Sequence, residues 1–478
     1  MKKIFNMAAK FLAATMIFAV VSSIVTSCNP DDSERIDATI SVEPAGLGFT
    51  WNDSSEKYVE VKTNAPAVEV SSSYSWIGAK AQDGRVYVWM KSENTSGESR
   101  KGSVQVLALD KKGVILNECQ LAVSQESGNE DGPSSGDGQF EDKVFAEYVM
   151  ENFDYDKDGL ISDTEAATVT SMDIDSYGIS SIAGIEIFKN LNSVDLSNNS
   201  LKTVDLRGLS KLQYLVVQNC GTENLLLGGC TGLTSIIARK NSLASIDLSD
   251  QTGIQFLDLG QNKLTSLSIS DRADLQYVAV DMNSLAKLSL SGCPKIKTLA
   301  CHKNSLESLD ITSMPVLDWL DCSSNNIMSL DLSSSKEMIS LMCNDNLLKS
   351  IDLSACSKLK YFSCRSNRIE AMDASRCPLL VKLDCGANPL KSLTITGCTD
   401  LAILSCDNCG LASLDVTAYT KLTSLICNGN SISSLDVASN LALETLYCQD
   451  NGMKTLYMAK NQTINDIKKD PDCEIILK

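Results

Sequence analysis

From Leu191 to Thr463 the chain repeats itself every 21 residues, thirteen times, without an insertion. Three consecutive copies, starting at Leu317, read LDWLDCSSNNIMSLDLSSSKE, MISLMCNDNLLKSIDLSACSK and LKYFSCRSNRIEAMDASRCPL, so residue identity alone sets the phase. Repeat position 1 is Leu, Ile or Met throughout, and position 4 is Leu, Ile, Val or Phe. Position 11 is apolar except at Thr222, and positions 14 and 16 are apolar in every copy. A unit of this size cannot bury its own apolar columns, so the copies must stack and the array is the folding unit. At about 4.8 Å from strand to strand, thirteen coils extend about 60 Å.

Position 9 is Asn in eleven copies, from Asn199 to Asn451, with Cys220 and Cys409 as the exceptions. The pattern L-x-x-L-x-[L/C]-x-x-[N/C]-x-L is the leucine-rich-repeat signature, in which a short strand precedes a turn whose inward Asn bonds neighbouring backbone groups, because a buried amide must be paired. Position 6 begins as Leu196, Val217, Ala238, Leu259 and Val280, and is Cys in the last eight copies, Cys301 to Cys448. A sparser column at position 19 holds Cys230, Cys293, Cys356, Cys377 and Cys398. A thiol packs as a small hydrophobe where a tight coil has no room for Leu. Stacked side chains point the same way, which suits neither disulfides nor a tetrahedral zinc site, so free, buried thiols are expected. A 21-residue repeat with a cysteine ladder resembles the internalin J type of bacterial surface protein, over more than half of the chain. The resemblance implies a curved parallel-sheet solenoid that binds partners on its concave side and is not an enzyme.

Ahead of the array lie several other segments. Residues 1–27, with Lys2, Lys3 and Lys10 before the apolar run FLAATMIFAVV, read as a lipoprotein signal peptide cleaved before Cys28. Cys28 is then the acylated residue, each buried methylene of its chains contributing about 0.8 kcal/mol to anchoring. The acidic tether at 28–37 resembles the surface-export segment of lipoproteins of the Bacteroidetes, which implies an outer-membrane, cell-surface location. A formal charge of −18 argues against nucleic acid, and the single histidine, His302, argues against histidine-based catalysis.

Residues 38–125 carry alternating runs (ATISVEP, YVEVKT, RVYVWMKS, GSVQVLAL, CQLAVSQ) between turn clusters such as Asn52-Asp53-Ser54-Ser55 and Asn94-Thr95-Ser96-Gly97, the pattern of an antiparallel β-sandwich. The Ser75-Trp76-Ile77 step, the stretch from Asn94 to Arg100 leading into Gly102-Ser103-Val104, and the closing Val123-Ser124-Gln125 resemble the BACON domain. That resemblance implies either carbohydrate binding or a spacer, and Trp51, Trp76 and Trp89 are either sugar platforms or core. Residues 126–139, without an apolar side chain, are a flexible linker.

Residues 140–168 form the expected N-terminal cap. A helical pattern with Phe140, Val144, Phe145, Tyr148, Val149 and Phe153 on one side runs into the loop Asp154–Glu165, which fits the EF-hand pattern. By spacing, Asp154, Asp156 and Asp158 supply carboxylates, Leu160 a backbone carbonyl, Ser162 a direct or water-mediated ligand and Glu165 a bidentate carboxylate, for one structural calcium ion. The leucine-rich repeats span 169–463, opening with one 22-residue copy whose Met172, Ile174, Ile179, Ile182, Ile185 and Phe188 point inward. Residues 464–478 are the expected C-terminal cap, with Glu474–Leu477 as a covering strand.

The outward residues of each strand fall at positions 3 and 5. Position 3 carries Tyr214, Phe256, Tyr277, Trp319 and Tyr361, with Asp258 and Asp321 at position 5 and Arg239, His302 and Arg365 at position 7. Such a column is either a platform for a sugar chain or peptide, or cross-strand packing that needs no ligand. With no nucleophile–base pair, phosphate loop or open metal site in the sequence, the expectation is a monomeric, non-enzymatic surface lipoprotein. It binds a protein or glycan through its concave face; the alternative is a passive stalk, or carbohydrate binding by the BACON-like domain.

Overall fold

The computed structural model describes residues 39–49, 55–92, 100–111, 114–125 and 139–478. The signal peptide, Cys28, the tether, Trp51, most of both turn clusters and nearly all of the linker lie outside the described residues. The chain divides into two compact units, one reaching Val204 and including Asn219–Gly221, the other comprising Asp205–Gln218 and Thr222–Lys478. Among the described residues no helix is long and apolar enough to cross a membrane.

The first unit begins with eight strands: β1 (Ile40–Glu43), β2 (Gly46–Phe49), β3 (Lys57–Thr63), β4 (Ala67–Ser71), β5 (Ile77–Gln82), β6 (Arg85–Met90), β7 (Arg100–Leu109) and β8 (Ile115–Gln125). They form two four-stranded sheets, β1-β3-β6-β5 and β2-β8-β7-β4. Alternation places Val59, Val86, Val88, Val104, Val106 and Leu121 in one core shared by both sheets. The expectation of a purely antiparallel arrangement is corrected at β2, which pairs with β8 in parallel. Strands β2, β4 and β5 were not among the sequence runs: β2 is short and β5 rich in Gly and Ala, whereas β4 (AVEVS) does alternate but spans only five residues. Trp89 lies over Gly78, where a Cβ would stand 2.2 Å from the indole, and Trp76 packs against the core under the Arg100 guanidinium, 4.7 Å from the ring centre.

Helix α1 (Lys143–Phe153) is capped by Asp142, whose Oδ1 accepts from the N–H groups of Val144 and Phe145 at 2.9 and 3.0 Å. Its buried face, with Phe145, Tyr148 and Val149, turns toward the opening coil, and Phe140 and Phe153 pack against Phe188. Phe140 reaches this place because Gly184 (φ 101°) leaves room that a Cβ, 2.4 Å from the Phe140 ring, would take. Helix α2 (Asp163–Thr168) is a short second helix, followed by the strand Ser171–Asp173, which pairs in parallel with Ser193–Asp195. All six apolar residues expected inward in the opening coil are buried.

In the second unit each coil places three residues, positions 3 to 5, in one parallel sheet, and each strand is in register with the next: Phe256 opposite Tyr277, Thr298 opposite Trp319, Ser340 opposite Tyr361. The Asn column works as a ladder between coils. Asn325 donates from Nδ2 to the carbonyls of Cys301 and Cys322, each at 3.0 Å, and its Oδ1 accepts from Leu306 N–H at 3.0 Å. Position 8 is left-handed from coil to coil, with φ 55° at Ser324, 52° at Asp345 and 56° at Ser366, although its side chains follow no pattern. Where Cys409 replaces Asn, its thiol donates to Cys385 O at 3.3 Å and supplies part of the missing ladder.

The position 19 column, of which the sequence showed the cysteines, also bonds from coil to coil: Gln251 donates to Leu227 O at 3.0 Å, Asn440 to Val416 O at 2.9 Å and Cys230 to Leu206 O at 2.9 Å. At the chain's end two further strands follow the last full repeat. Asp466–Lys468 adds to the main sheet beside Thr445–Tyr447, while Glu474–Leu477 pairs in parallel with Thr455–Met458 in a small lateral sheet and is exposed rather than covering. The ladder closes at Asp470, whose carboxylate accepts from the N–H groups of Asp450, Asn451 and Met453.

Candidate functional site

The acidic loop lies between α1 and α2. The carboxylates of Asp154, Asp156 and Asp158 bring one oxygen each to within 4.8 Å of one another. Local geometry accounts for this: Lys157 (φ 59°) and Gly159 (φ 84°) turn the chain sharply, and Asp156 and Asp158 each accept from the N–H two residues on, at 3.2 and 2.9 Å. Glu165 reaches back across the loop, with Oε1 accepting from Tyr155 N–H at 2.7 Å and Oε2 from Ser162 N–H and Oγ at 2.9 and 2.8 Å. These hydrogen bonds, that from the Ser162 N–H foremost, hold its pKa below the usual carboxylate value. Ser162 also receives Glu165 N–H, so the pair is a capping box at the start of α2.

Asp154 is where the site is incomplete by itself. Its Oδ2 accepts from Gly159 N–H at 3.0 Å, but Oδ1 is buried without a hydrogen-bond partner. A desolvated carboxylate oxygen facing two further carboxylates is unfavourable without a cation. The donor set is oxygen throughout, which fits a hard ion such as calcium. The Leu160 side chain is exposed, and the next residue, Ile161, is buried with both its backbone groups taken by the Gln139 side-chain amide, each at 3.0 Å.

On the sheet, the aromatic column is in register: Tyr214, then Phe256 and Tyr277 on adjacent strands, Trp319 two coils on and Tyr361 two further. Its members are not equivalent. Phe256 and Tyr277 stack at 4.2 Å between ring centres and 4° between planes, and Tyr277 is only 7% exposed. Both rings and Trp319 pack over Ala279 and Ala300, the small residues at position 5. Tyr214 and Tyr361, 36% and 37% exposed, are not members of that cluster.

The charged residues beside the column form two clamps of identical design. Arg239 at position 7 bonds Asp258 on the next coil (Nη1–Oδ1 3.1 Å) and Asp281 two coils on (Nη1–Oδ1 2.9 Å, with a second bond from Nη2). Arg365 does the same with Asp384 at 3.5 Å and Asp407 at 2.7 and 2.6 Å. The guanidinium crosses the intervening coil because position 7 there is glycine: a Cβ on Gly260 would lie 2.1 Å from Arg239 Nη1, and one on Gly386 2.3 Å from Arg365 Nη1. The aspartates are buried and the arginines are neutralised by them. His302 Nε2 lies 3.7 Å from Asp281, and its Nδ1 3.3 Å from Asp321. Asp281, Asp384 and Asp407 were missed by sequence reasoning; the signal that could have found Asp281 and Asp407 is the Arg-Gly-Asp order of position 7 down three successive coils, occurring twice.

No protein-family model matches the chain, and no curated protein does. Solved structures do. The functional domain of InlJ from Listeria monocytogenes, described as including a cysteine ladder, is 27% identical over 69% of this chain and 77% of that one, with a TM-score of 0.54. An internalin (InlF) from the same organism is 19% identical over 72% of this chain and 98% of its own, with a TM-score of 0.51. YopM, a leucine-rich effector of Yersinia pestis, is 19% identical over 71% and 96%, with a TM-score of 0.52. The latter two likenesses concern the fold alone. The chain is a leucine-rich-repeat solenoid whose structural neighbours are of the internalin type.

Proposed function

We propose that the protein is a non-enzymatic binding scaffold that captures a protein partner on the open face of its long parallel sheet. The observation that carries this reading is the register of the aromatic column, whose outer members Tyr214 and Tyr361 are exposed on a sheet face that nothing in the chain's own core requires to be aromatic. Solenoids of this class present extended surfaces suited to interaction. Two accessory roles belong to the same reading. Calcium, held by Asp154, Asp156, Asp158, the Leu160 carbonyl and Glu165, with Ser162 completing the set, stiffens the helix–loop–helix over the first coil. Acylation at Cys28 tethers the chain to the outer membrane at the cell surface, with the two-sheet domain, BACON-like in sequence, next to the anchor.

The test is a protein and glycan array probed with the mature chain. Trp319→Ala combined with Tyr361→Ala should abolish capture of the ligand found while leaving the melting temperature within a few degrees of wild type. Unchanged capture would refute the concave-face reading. Capture of glycans alone would replace protein by carbohydrate as the partner. For the anchor, a palmitate analogue should label wild type and not Cys28→Ala.

A further inference from the structure

The reading of the open sheet face leaves the ligand's chemistry unnamed, and the arrangement of the two clamps narrows it. Each clamp combines one guanidinium with two buried carboxylates, so neither arginine is available to receive a carboxylate, sulfate or phosphate from outside. Each clamp also leaves an excess negative charge on the face. Asp281 ends the first clamp and Arg365 begins the second, and the three coils between them, 296–358, carry no arginine–aspartate clamp of their own. At positions 3, 5 and 7 these coils offer Trp319 and Asp321 among Thr, Ser, Ala, Met, Asn and His, with no Lys or Arg.

We propose that this window takes the cationic side chain, a Lys ammonium or an Arg guanidinium, of an extended segment of a basic protein partner. Trp319 is half-buried and packs against the cluster of Tyr277, Ala279 and Ala300, so the indole is held in place before any ligand arrives. Asp321, two residues along the same strand, accepts from Ser323 N–H at 3.0 Å, and its second oxygen is the one near His302. An aromatic ring beside a partly buried carboxylate attracts cations through the ring quadrupole and a charge-assisted hydrogen bond. The formal charge of −18 steers a basic partner toward the protein and repels an acidic one. Three strands span about 14 Å, the length of about four extended residues, so one basic side chain with its neighbours fits the window. A neutral glycan would use the rings but would have no need of Asp321 in charged form.

The test uses the full chain on an array of random dodecapeptides, with a duplicate array whose lysines are acetylated. Bound peptides should be enriched in Lys and Arg. Acetylation should lower the signal of Lys-only peptides at least tenfold, and Trp319→Ala and Asp321→Asn should each weaken binding at least tenfold. Asp331→Asn, the same charge change at an exposed site outside the sheet strands, should leave it unaltered. Absence of Lys and Arg enrichment, an equal loss with Asp331→Asn, or no peptide bound at all would overturn the proposal. If neutral oligosaccharides then bind in a Trp319-dependent manner, the cation proposal fails while the concave-face reading stands. If no ligand of any kind depends on Trp319 or Tyr361, both fail.

Discussion

Asp195, at position 5 of the first full coil, is 7% exposed and accepts from Ser197 N–H at 3.0 Å. Burial raises its pKa to about 6 against the opposing Ser197 hydrogen bonds, with Asp175 and Asp173 adding repulsion. Because the folded pKa lies above the unfolded one, the folded protein binds this proton more tightly. The carboxyl is harmless below about pH 4, and its ionisation destabilises the fold as pH rises through 6. Asp195→Asn should therefore stabilise the protein at pH 7, by on the order of 2 kcal/mol, and do little at pH 4. Paired thermal melts of variant and wild type across that range check it, and a pH-independent difference would contradict it. The clamp glycines allow a second comparison. Gly260→Ala and Gly386→Ala each push an arginine off its aspartates, but the Arg365 side chain is 38% exposed against 17% for Arg239 and can swing into water. The expected costs are about 3 kcal/mol or more for Gly260→Ala and about 1–2 kcal/mol for Gly386→Ala, measured by denaturant unfolding.

At the scale of elements, the helix–loop–helix and the Asn ladder do different work. The buried, unpartnered Asp154 Oδ1 motivates the calcium proposal, and on that reading removing calcium should lower stability by mass action, by about 2.7 kcal/mol relative to calcium at a hundred times its Kd. Calorimetry should find one site that Glu165→Gln weakens, and a melting temperature indifferent to both chelator and calcium would refute it. The ladder is internal to the stack. Asn325→Ala removes three donated bonds and one accepted bond and leaves the carbonyls of Cys301, Cys322 and Ser323 short of a donor. A cost of about 3 kcal/mol is expected, each buried unsatisfied group contributing about 1–3 kcal/mol. Asn325→Cys should recover part of it, since Cys409 shows a thiol filling the same place.

Across the whole molecule, all described cysteines are free, and those of the repeat columns are buried. Burial pushes the thiols of Cys356 and Cys398 up to about 11 and those of Cys377 and Cys448 up to about 12. At pH 7 these four are almost entirely in the thiol form, and the thiolate is the reactive form. Thiol titration of the native chain should find few reacting groups, and denaturant without reductant should expose the rest. A native protein with its ladder already oxidised would contradict this.

The 21-residue period can be read without coordinates, and with it everything that follows from it: the inward columns, the Asn ladder, the thiol column and the alignment of the aromatic residues. These are legible because each coil repeats one backbone geometry, so a residue's position in the copy is its position in space. The clustering of Asp154, Asp156 and Asp158 was legible for a similar reason, since the three residues are local in sequence. How side chains on different coils engage one another, by contrast, depends on the folded chain. Arg239 and Arg365 look free in sequence, yet a glycine one coil away and an aspartate two coils away close them, contacts 19 to 42 residues distant. Tyr277 looks like part of a uniform row, yet alanines on its own coil and the next let it sink onto Phe256 and out of the solvent. The end of the solenoid likewise depended on pairing: Glu474–Leu477 reads as a cover by hydrophobicity, but its backbone is satisfied only by adding to a lateral sheet. Backbone hydrogen bonding, which carries no residue preference, settled that strand's place.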